Sequence, residues 1–256
     1  MLILIDAGNS NTVVAACEPG DSSFTHVWRF ASRRKNTGDD WRASLVPLLR
    51  QAGIRPSQVT GAVISSVVPK ITRELILQCE GWLRVTPIVV SANLTLSVNI
   101  AIEKPEDIGA DRICNAVAAF ELIRGPVIVV DLGTATKIEA IHRSGAFLGG
   151  AIAPGIGTSL DALVARAAQL YPVELSVPET AIGTNTVHAV QSGLFLGHLT
   201  MIEGMVSRFK DTLGSDASVV LTGGYGPIFW QRSEVFSQFE PELTLRGALR
   251  IWELNS

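Results

Sequence analysis

Cysteine is scarce in this chain: Cys17, Cys79 and Cys114 are its three copies, far apart and without any Cys-x-x-Cys pair. An odd, scattered set excludes a disulfide framework and a zinc knuckle, and it suits a reducing compartment. Histidine is equally thin. His26, His142, His188 and His198 show no metal-ligand spacing, so they read as ordinary surface or loop residues, and no transition-metal enzyme is expected. A charge surplus is missing too, because 21 Lys+Arg against 24 Asp+Glu leave a formal charge of −3. That removes the electrostatic drive toward nucleic acid or an anionic membrane. The apolar run Met1 to Ile5 stops at Asp6 and has no basic flank. It is too short for a signal peptide or a membrane span, and a cytoplasmic location is expected. Absent as well are the Walker pattern Gly-x-x-x-x-Gly-Lys-Ser/Thr and the dinucleotide fingerprint, which disfavours those two nucleotide folds. What is present is 47% hydrophobic and 18% charged residues, too apolar for disorder and ample for a core. The 256 residues fit one large domain or two of roughly 125.

The strongest organisational signal is a repeat. Leu4-Ile5-Asp6-Ala7-Gly8-Asn9-Ser10-Asn11-Thr12 is matched by Val129-Val130-Asp131-Leu132-Gly133-Thr134-Ala135-Thr136, at half the chain length. Each copy has an apolar, β-branched run that predicts a buried strand, then an Asp, then small residues that predict a tight turn. A duplicated fold follows, with halves 1–124 and 125–256 divided at the turn pair Gly125-Pro126. The pattern predicts strands over 12–16, 25–30, 61–65, 87–90 and 218–221, and helices over 39–52, 69–83, 108–123, 159–170 and 187–210. A further strand and hairpin run through Ile138 to Phe147. Strands and helices alternate, so the class is α/β.

Asp6 and Asp131 each stand where a strand meets a turn. There, backbone N–H groups can face a phosphate while a carboxylate helps hold its cation. Asp-Gly turns also close ordinary hairpins, and it is the duplication that favours a pair of turns clamping one nucleotide. A third turn, Thr222-Gly223-Gly224-Tyr225-Gly226-Pro227, would let a flat base approach the backbone, since Gly has no Cβ in the way. Gly109-Ala110-Asp111-Arg112 opens a helix. Asp111 is either a helix-starting acid favoured by the dipole or the base that phosphoryl transfer to an alcohol requires, with Arg112 holding an anionic group beside it.

Taken together, Asp6-x-Gly-Asn, Gly109-Ala-Asp-Arg, Asp131-x-Gly-Thr-Ala-Thr, Gly149-Gly-Ala-Ile-Ala-Pro-Gly, Ile182-Gly-Thr-Asn-Thr with Gln191-Ser-Gly, and Leu221-Thr-Gly-Gly occur in the order seen in type III pantothenate kinases. The chain resembles that family, which includes the Bvg accessory factor, along nearly its whole length. The resemblance implies duplicated actin-like, ribonuclease H-like halves of the acetate and sugar kinase, Hsp70 and actin superfamily, with ATP between them. It implies an enzyme that phosphorylates pantothenate in the opening step of coenzyme A synthesis, using magnesium and a potassium or ammonium ion, as a homodimer. Residue by residue, it implies that Asp6, Ala7, Gly8, Asn9, Ser10, Asn11, Thr12 and Val13 face the ATP phosphates, with Asp6 near the magnesium. Thr134, Gly223 and Gly224 would also contact ATP. Asp111 would be the proton acceptor, Gly109, Ala110, Asp111 and Arg112 the pantothenate-binding stretch, Thr186 a further substrate contact, and Asp131 the monovalent-cation ligand.

The chain also departs from the family pattern. Ser10 replaces a usual Thr and keeps its hydroxyl. The segment 91–98 lacks the usual Gly-rich, Lys-Thr-containing pattern, and Ile102 stands where Tyr is common. Lys137 and Glu139 follow Thr136 where a second Thr and an Asp are usual. Long lysine side chains run to water, which makes Lys137 an ordinary outward strand residue; pointing inward, its ammonium would substitute for the bound potassium or compete with it. These changes keep two other readings open, a catalytically altered nucleotide-binding regulatory relative and a kinase for another small alcohol. Leu194, Phe195, Leu199, Ile202 and Met205 lie on more than one face of the predicted 187–210 helix, which suggests a dimer interface there or burial within its own half.

Overall fold

The computed structural model describes residues 1–33 and 35–256. Along the chain run β1 (Leu2–Ala7), β2 (Asn11–Cys17), β3 (His26–Ala31), α1 (Gly38–Gln51), β4 (Gly61–Ser66), α2 (Pro69–Gln78), β5 (Ile88–Val89), β6 (Asn99–Ile100) and α3 (Ala110–Ile123). There follow β7 (Val127–Leu132), β8 (Ala135–Ile141), β9 (Ala146–Pro154), α4 (Ile156–Arg166), α5 (Thr186–Leu213), β10 (Ser218–Thr222), α6 (Gly226–Phe229), β11 (Gln238–Phe239) and α7 (Leu243–Asn255). Two compact units result, one of residues 1–97, 103–118 and 243–256, the other of 98–102 and 119–242. They do not follow a single cut after residue 124. The last helix belongs with the first unit because α7 packs on β1 and β4, and α3 starts in the first unit and ends in the second.

The first sheet has strand order β3-β2-β1-β4-β5, and the second β11-β10-β7-β8-β9-β6. Read from the three-stranded meander inward, the two are built alike. In each, a central strand pairs antiparallel with the strand that follows it and parallel with a later one: β1 with β2 and β4, β7 with β8 and β10. The repeat seen in the sequence is thus a repeat of topology. Both central strands are buried along nearly their whole length, as their unbroken apolar runs require of strands covered on both faces.

Alternation along β1 sends Ile3, Ile5 and Ala7 to a core with Trp41, Leu45 and Leu49 of α1 and Ile71 and Leu75 of α2. Leu2, Leu4 and Asp6 therefore point the other way. Helix α1 starts on a capping box, with Thr37 N–H donating to Asp40 Oδ2 at 2.8 Å, which satisfies orphan donors at the helix start. In the second unit Ile128, Val130 and Leu132 of β7 pack on Phe195, Leu199, Ile202 and Val206 of α5, leaving Val127, Val129 and Asp131 on the opposite face. Burying a side chain of this size is worth about 1.5–3 kcal/mol, so each strand-helix layer holds its unit firmly. Leu194 and Met205 also pack against this core. All five apolar residues noted on α5 thus touch the core of their own unit.

Helix α7 has no counterpart among the elements expected from the sequence, and it carries Gly247, a poor helix former,. The structure supplies the reason for the glycine: a Cβ there would overlap the backbone of Cys114 in α3. Propensity and packing thus give opposite signs for Gly247→Ala. Propensity alone predicts a gain of about 1 kcal/mol, whereas overpacking costs about 1–3 kcal/mol. We expect urea unfolding to show a net loss of stability.

Candidate active site

In the first unit, β1 delivers Asp6 to the mouth of a turn closed by the Gly8 N–H donating to the Asn11 carbonyl at 2.9 Å. Asn9, Ser10 and Asn11 are exposed, Asp6 and Gly8 half-buried, and Ala7, Thr12 and Val13 buried. The Thr12 hydroxyl is taken up by Ser32 Oγ at 2.9 Å. Any contact of Ala7, Thr12 or Val13 with a phosphate is therefore made by backbone, which is how a turn cradles an anion. Asp6 Oδ1 accepts from Ser65 Oγ at 3.1 Å, Ser65 being its parallel neighbour on β4.

The candidate base belongs to the same unit. Asp111 is half-buried in the first turn of α3, its Oδ1 accepting from the Arg112 N–H at 2.9 Å. Arg112 is half-buried beside it and Ala110 is buried. The thiol of Cys114, on α3 of the same unit, is buried. Its pKa is pushed well above the usual thiol value by burial first, then by the charge of Asp6, with Asp111 adding in the same direction and a hydrogen bond with Ser65 opposing. One sulfur thus senses both carboxylates of this unit. Ser65 did not stand out in the sequence; its signal is its place at the strand end matching Thr222 of the second copy.

In the second unit Asp131 holds the position on β7 that Asp6 holds on β1. It is paired across β8 with Lys137 and alongside Thr222 of β10. Lys137 does not run to water: its Nζ lies 2.7 Å from Asp131 Oδ2. The outward expectation fails because register places the two residues directly opposite, where side chains leave the sheet together. Thr134 is exposed at the tip of the turn. Its carbonyl accepts from Thr158 Oγ1 at 2.7 Å and the Gly155 N–H at 3.1 Å, so the Gly149 to Gly155 segment braces the turn. The third turn meets the second. Gly223 has φ +93°, and a Cβ on it would come within 2.5 Å of Leu132 N and 2.6 Å of Asp131 Oδ1; only glycine allows both the left-handed backbone and the approach. Tyr225 N–H closes the junction on the Leu132 carbonyl at 3.0 Å, and Gly224 is exposed. Thr186, exposed at the start of α5 behind the Asn185 cap, lines a cavity of about 530 Å³ with Leu163, Thr184, Val190 and Leu194. None of the residues lining that cavity belongs to either turn.

His198 departs from the expected surface role. It is 9% exposed, and its Nε2 is 2.7 Å from Thr136 Oγ1, so the last Thr of the second motif ties the turn's strand to α5. The signal was available in its helical spacing with Phe195 and Ile202. Among the described residues, no group of three or more His, Cys, Asp or Glu side chains could hold a metal ion, and no helix is long and apolar enough to cross a membrane.

Two similarly built sheets, each ending a central strand on a carboxylate and a small-residue turn, define the fold of the acetate and sugar kinase, Hsp70 and actin superfamily. Solved structures agree. One described as a Baf family transcriptional activator from Campylobacter jejuni superposes with a TM-score of 0.62 at 20% identity, covering 98% of this chain and 97% of that one. One described as a 2-dehydro-3-deoxygalactonokinase from Sinorhizobium meliloti also gives 0.62, at 12% identity, over 98% and 95%. The family model of type III pantothenate kinase matches residues 2–208, and the chain belongs to that family. It is 41% identical to the type III pantothenate kinase of Roseiflexus sp. strain RS-1 over 100% of this chain and 99% of that one. With the enzyme of the same name from Halalkalibacterium halodurans it shares 38% identity over the full length of both.

Burial lowers the pKa of His198 below the ordinary imidazole value, so the unfolded chain binds more protons than the native one in the window between the two values. The associated stability is complete above the ordinary imidazole value of about 6.5. It is lost as pH falls toward the depressed native pKa and levels off below it. Melting curves across this range are expected to show that slope, and His198→Gln to flatten it.

Proposed function

We propose that this chain transfers the γ-phosphoryl group of ATP to the primary hydroxyl of pantothenate, forming 4′-phosphopantothenate in the opening step of coenzyme A synthesis. Membership of the type III pantothenate kinase family along the whole chain is the observation that carries this reading. Matching strand orders support reading each unit as one copy of a duplicated actin-like, ribonuclease H-like half.

The roles follow from the local chemistry. Backbone N–H groups of the turn from Asp6 to Val13, and those around Thr134, take the phosphates, while the Gly223-Gly224 turn takes the adenosine. A single half-buried carboxylate, Asp6, suits magnesium, which keeps most of its waters and binds through one or two carboxylates plus phosphate oxygens. Bound magnesium supplies neutralisation of the β- and γ-phosphate charge. Asp111 accepts the proton of the pantothenate hydroxyl as its oxygen bonds to phosphorus and the bond to the leaving ADP oxygen breaks. Gly109, Ala110 and Arg112 hold the acceptor, the guanidinium facing its carboxylate, and Thr186 adds a further contact. Catalysis is then mostly positioning and charge stabilisation. Family resemblance supports a homodimer, and three buried free cysteines support a reducing, cytoplasmic setting.

A coupled assay of ADP release with pantothenate, with other small alcohols and with no acceptor tests the reaction. Release with pantothenate alone is expected; equal release with other alcohols would make it a kinase of different specificity, and none with any acceptor a regulatory relative. Light scattering should give twice the mass of one chain. Asp111→Asn keeps the shape, and Asn serves equally well at a helix start. It should lower kcat by about 10²- to 10⁴-fold with nucleotide affinity and melting temperature nearly unchanged, whereas near-normal kcat would leave Asp111 as a helix-starting residue only.

A further inference from the structure

Asp131, the residue that family resemblance makes the ligand of a potassium or ammonium ion, already has a cation of its own. Lys137 stands directly opposite it across β7 and β8, and the 2.7 Å ion pair leaves the two side chains 14% and 13% exposed. The other copy of the scaffold shows how local this is. Asp6 is opposed across β1 and β2 by Val13, an apolar residue 8% exposed, and its carboxylate takes a hydroxyl from Ser65 instead. The same strand position thus carries an apolar side chain in one copy and an ammonium in the other.

A carboxylate withdrawn from water needs a counter-charge. A tethered ammonium supplies it at a high effective concentration, since closing a contact within one folded chain avoids the translational cost of recruiting an ion. A potassium ion taking the place at Asp131 Oδ2 would have to displace Nζ and separate a buried ion pair, which is unfavourable,. An ammonium group and a potassium ion carry the same charge and are close in size, so the occupant changes while the charge does not. The seat at Asp131 Oδ2 is already taken by a cation of that charge. We propose that Lys137 is the built-in monovalent cation of this enzyme, its ammonium replacing the diffusible potassium or ammonium ion at Asp131 and freeing turnover from those ions.

This inference rests on the pantothenate kinase reading, and two readouts on the full-length chain keep them apart. Thallium(I) is a spectroscopic stand-in for potassium, and its NMR line width reports binding without turnover. The parent should show no saturable broadening that potassium reverses, and its rate of pantothenate phosphorylation should be equal in potassium chloride and choline chloride. Lys137→Thr and Lys137→Met should gain saturable, potassium-competed broadening. Their rate in choline should fall by a factor on the order of ten and return with potassium or ammonium. Potassium-reversible thallium binding by the parent would overturn the proposal, as would a severalfold rise of its rate with potassium, or folded variants that gain no ion site. The parent titration decides even if both variants fail to fold. Absence of turnover in every salt would sink the pantothenate reading, and the thallium titration would still judge the role of Lys137.

Discussion

The central strands β1 and β7 are covered on both faces, and this constraint sets the rest of the molecule. Such a strand has no solvent side on which to place a charge, so its one acid sits at the penultimate residue, where the strand runs out into a turn. Asp6 and Asp131 both occupy that place. Neighbouring strands then decide each acid's surroundings through register: Val13 and Ser65 around Asp6, Lys137 and Thr222 around Asp131. A hydroxyl residue is kept on the parallel side in both copies. On the antiparallel side the copies diverge, and with that their electrostatics, one carboxylate hydrogen-bonded to a neutral group and the other ion-paired.

Burial also decides which atoms are left for chemistry. Ala7, Thr12 and Val13 give their side chains to the core of the first unit, so that turn offers backbone amides and the Asp6 carboxylate. In the second unit Thr136 is spent on His198 and the Thr134 carbonyl on α4. These contacts fix the turns from behind. A phosphate cradle built on backbone N–H groups works only if the backbone stays put on binding, and the bracing from Gly155, Thr158 and Tyr225 supplies that rigidity. Cys114 belongs to the same pattern, a buried thiol whose pKa is raised by burial and by the charges of Asp6 and Asp111, too high for it to act as a nucleophile near neutral pH,.

The repeated strand-Asp-turn signature was legible because both sources of it are local. A run of β-branched residues encodes burial, and small residues encode the turn. From it followed the expectation of two similarly built α/β sheets, while separate local patterns along the chain put most element positions within a few residues. Helix α7 was not among the expected elements, and the packing of its Gly247 on α3 is a contact that propensity cannot anticipate. The boundary at residue 124 missed the return of the C-terminal helix to the first unit, since that return depends on apolar surface waiting on β1 and β4, far away in the chain. His198 and Lys137 are the clearest cases of what only the tertiary structure decided. A histidine's or a lysine's own chemistry favours water, and each was drawn inward by one partner brought close by strand register or helix packing, Thr136 for the imidazole and Asp131 for the ammonium. Sequence by itself determined which groups are present and which strand ends they occupy. Which of them meet was settled by long-range pairing, because contact energies between residues remote in the chain exist only once the sheets have formed.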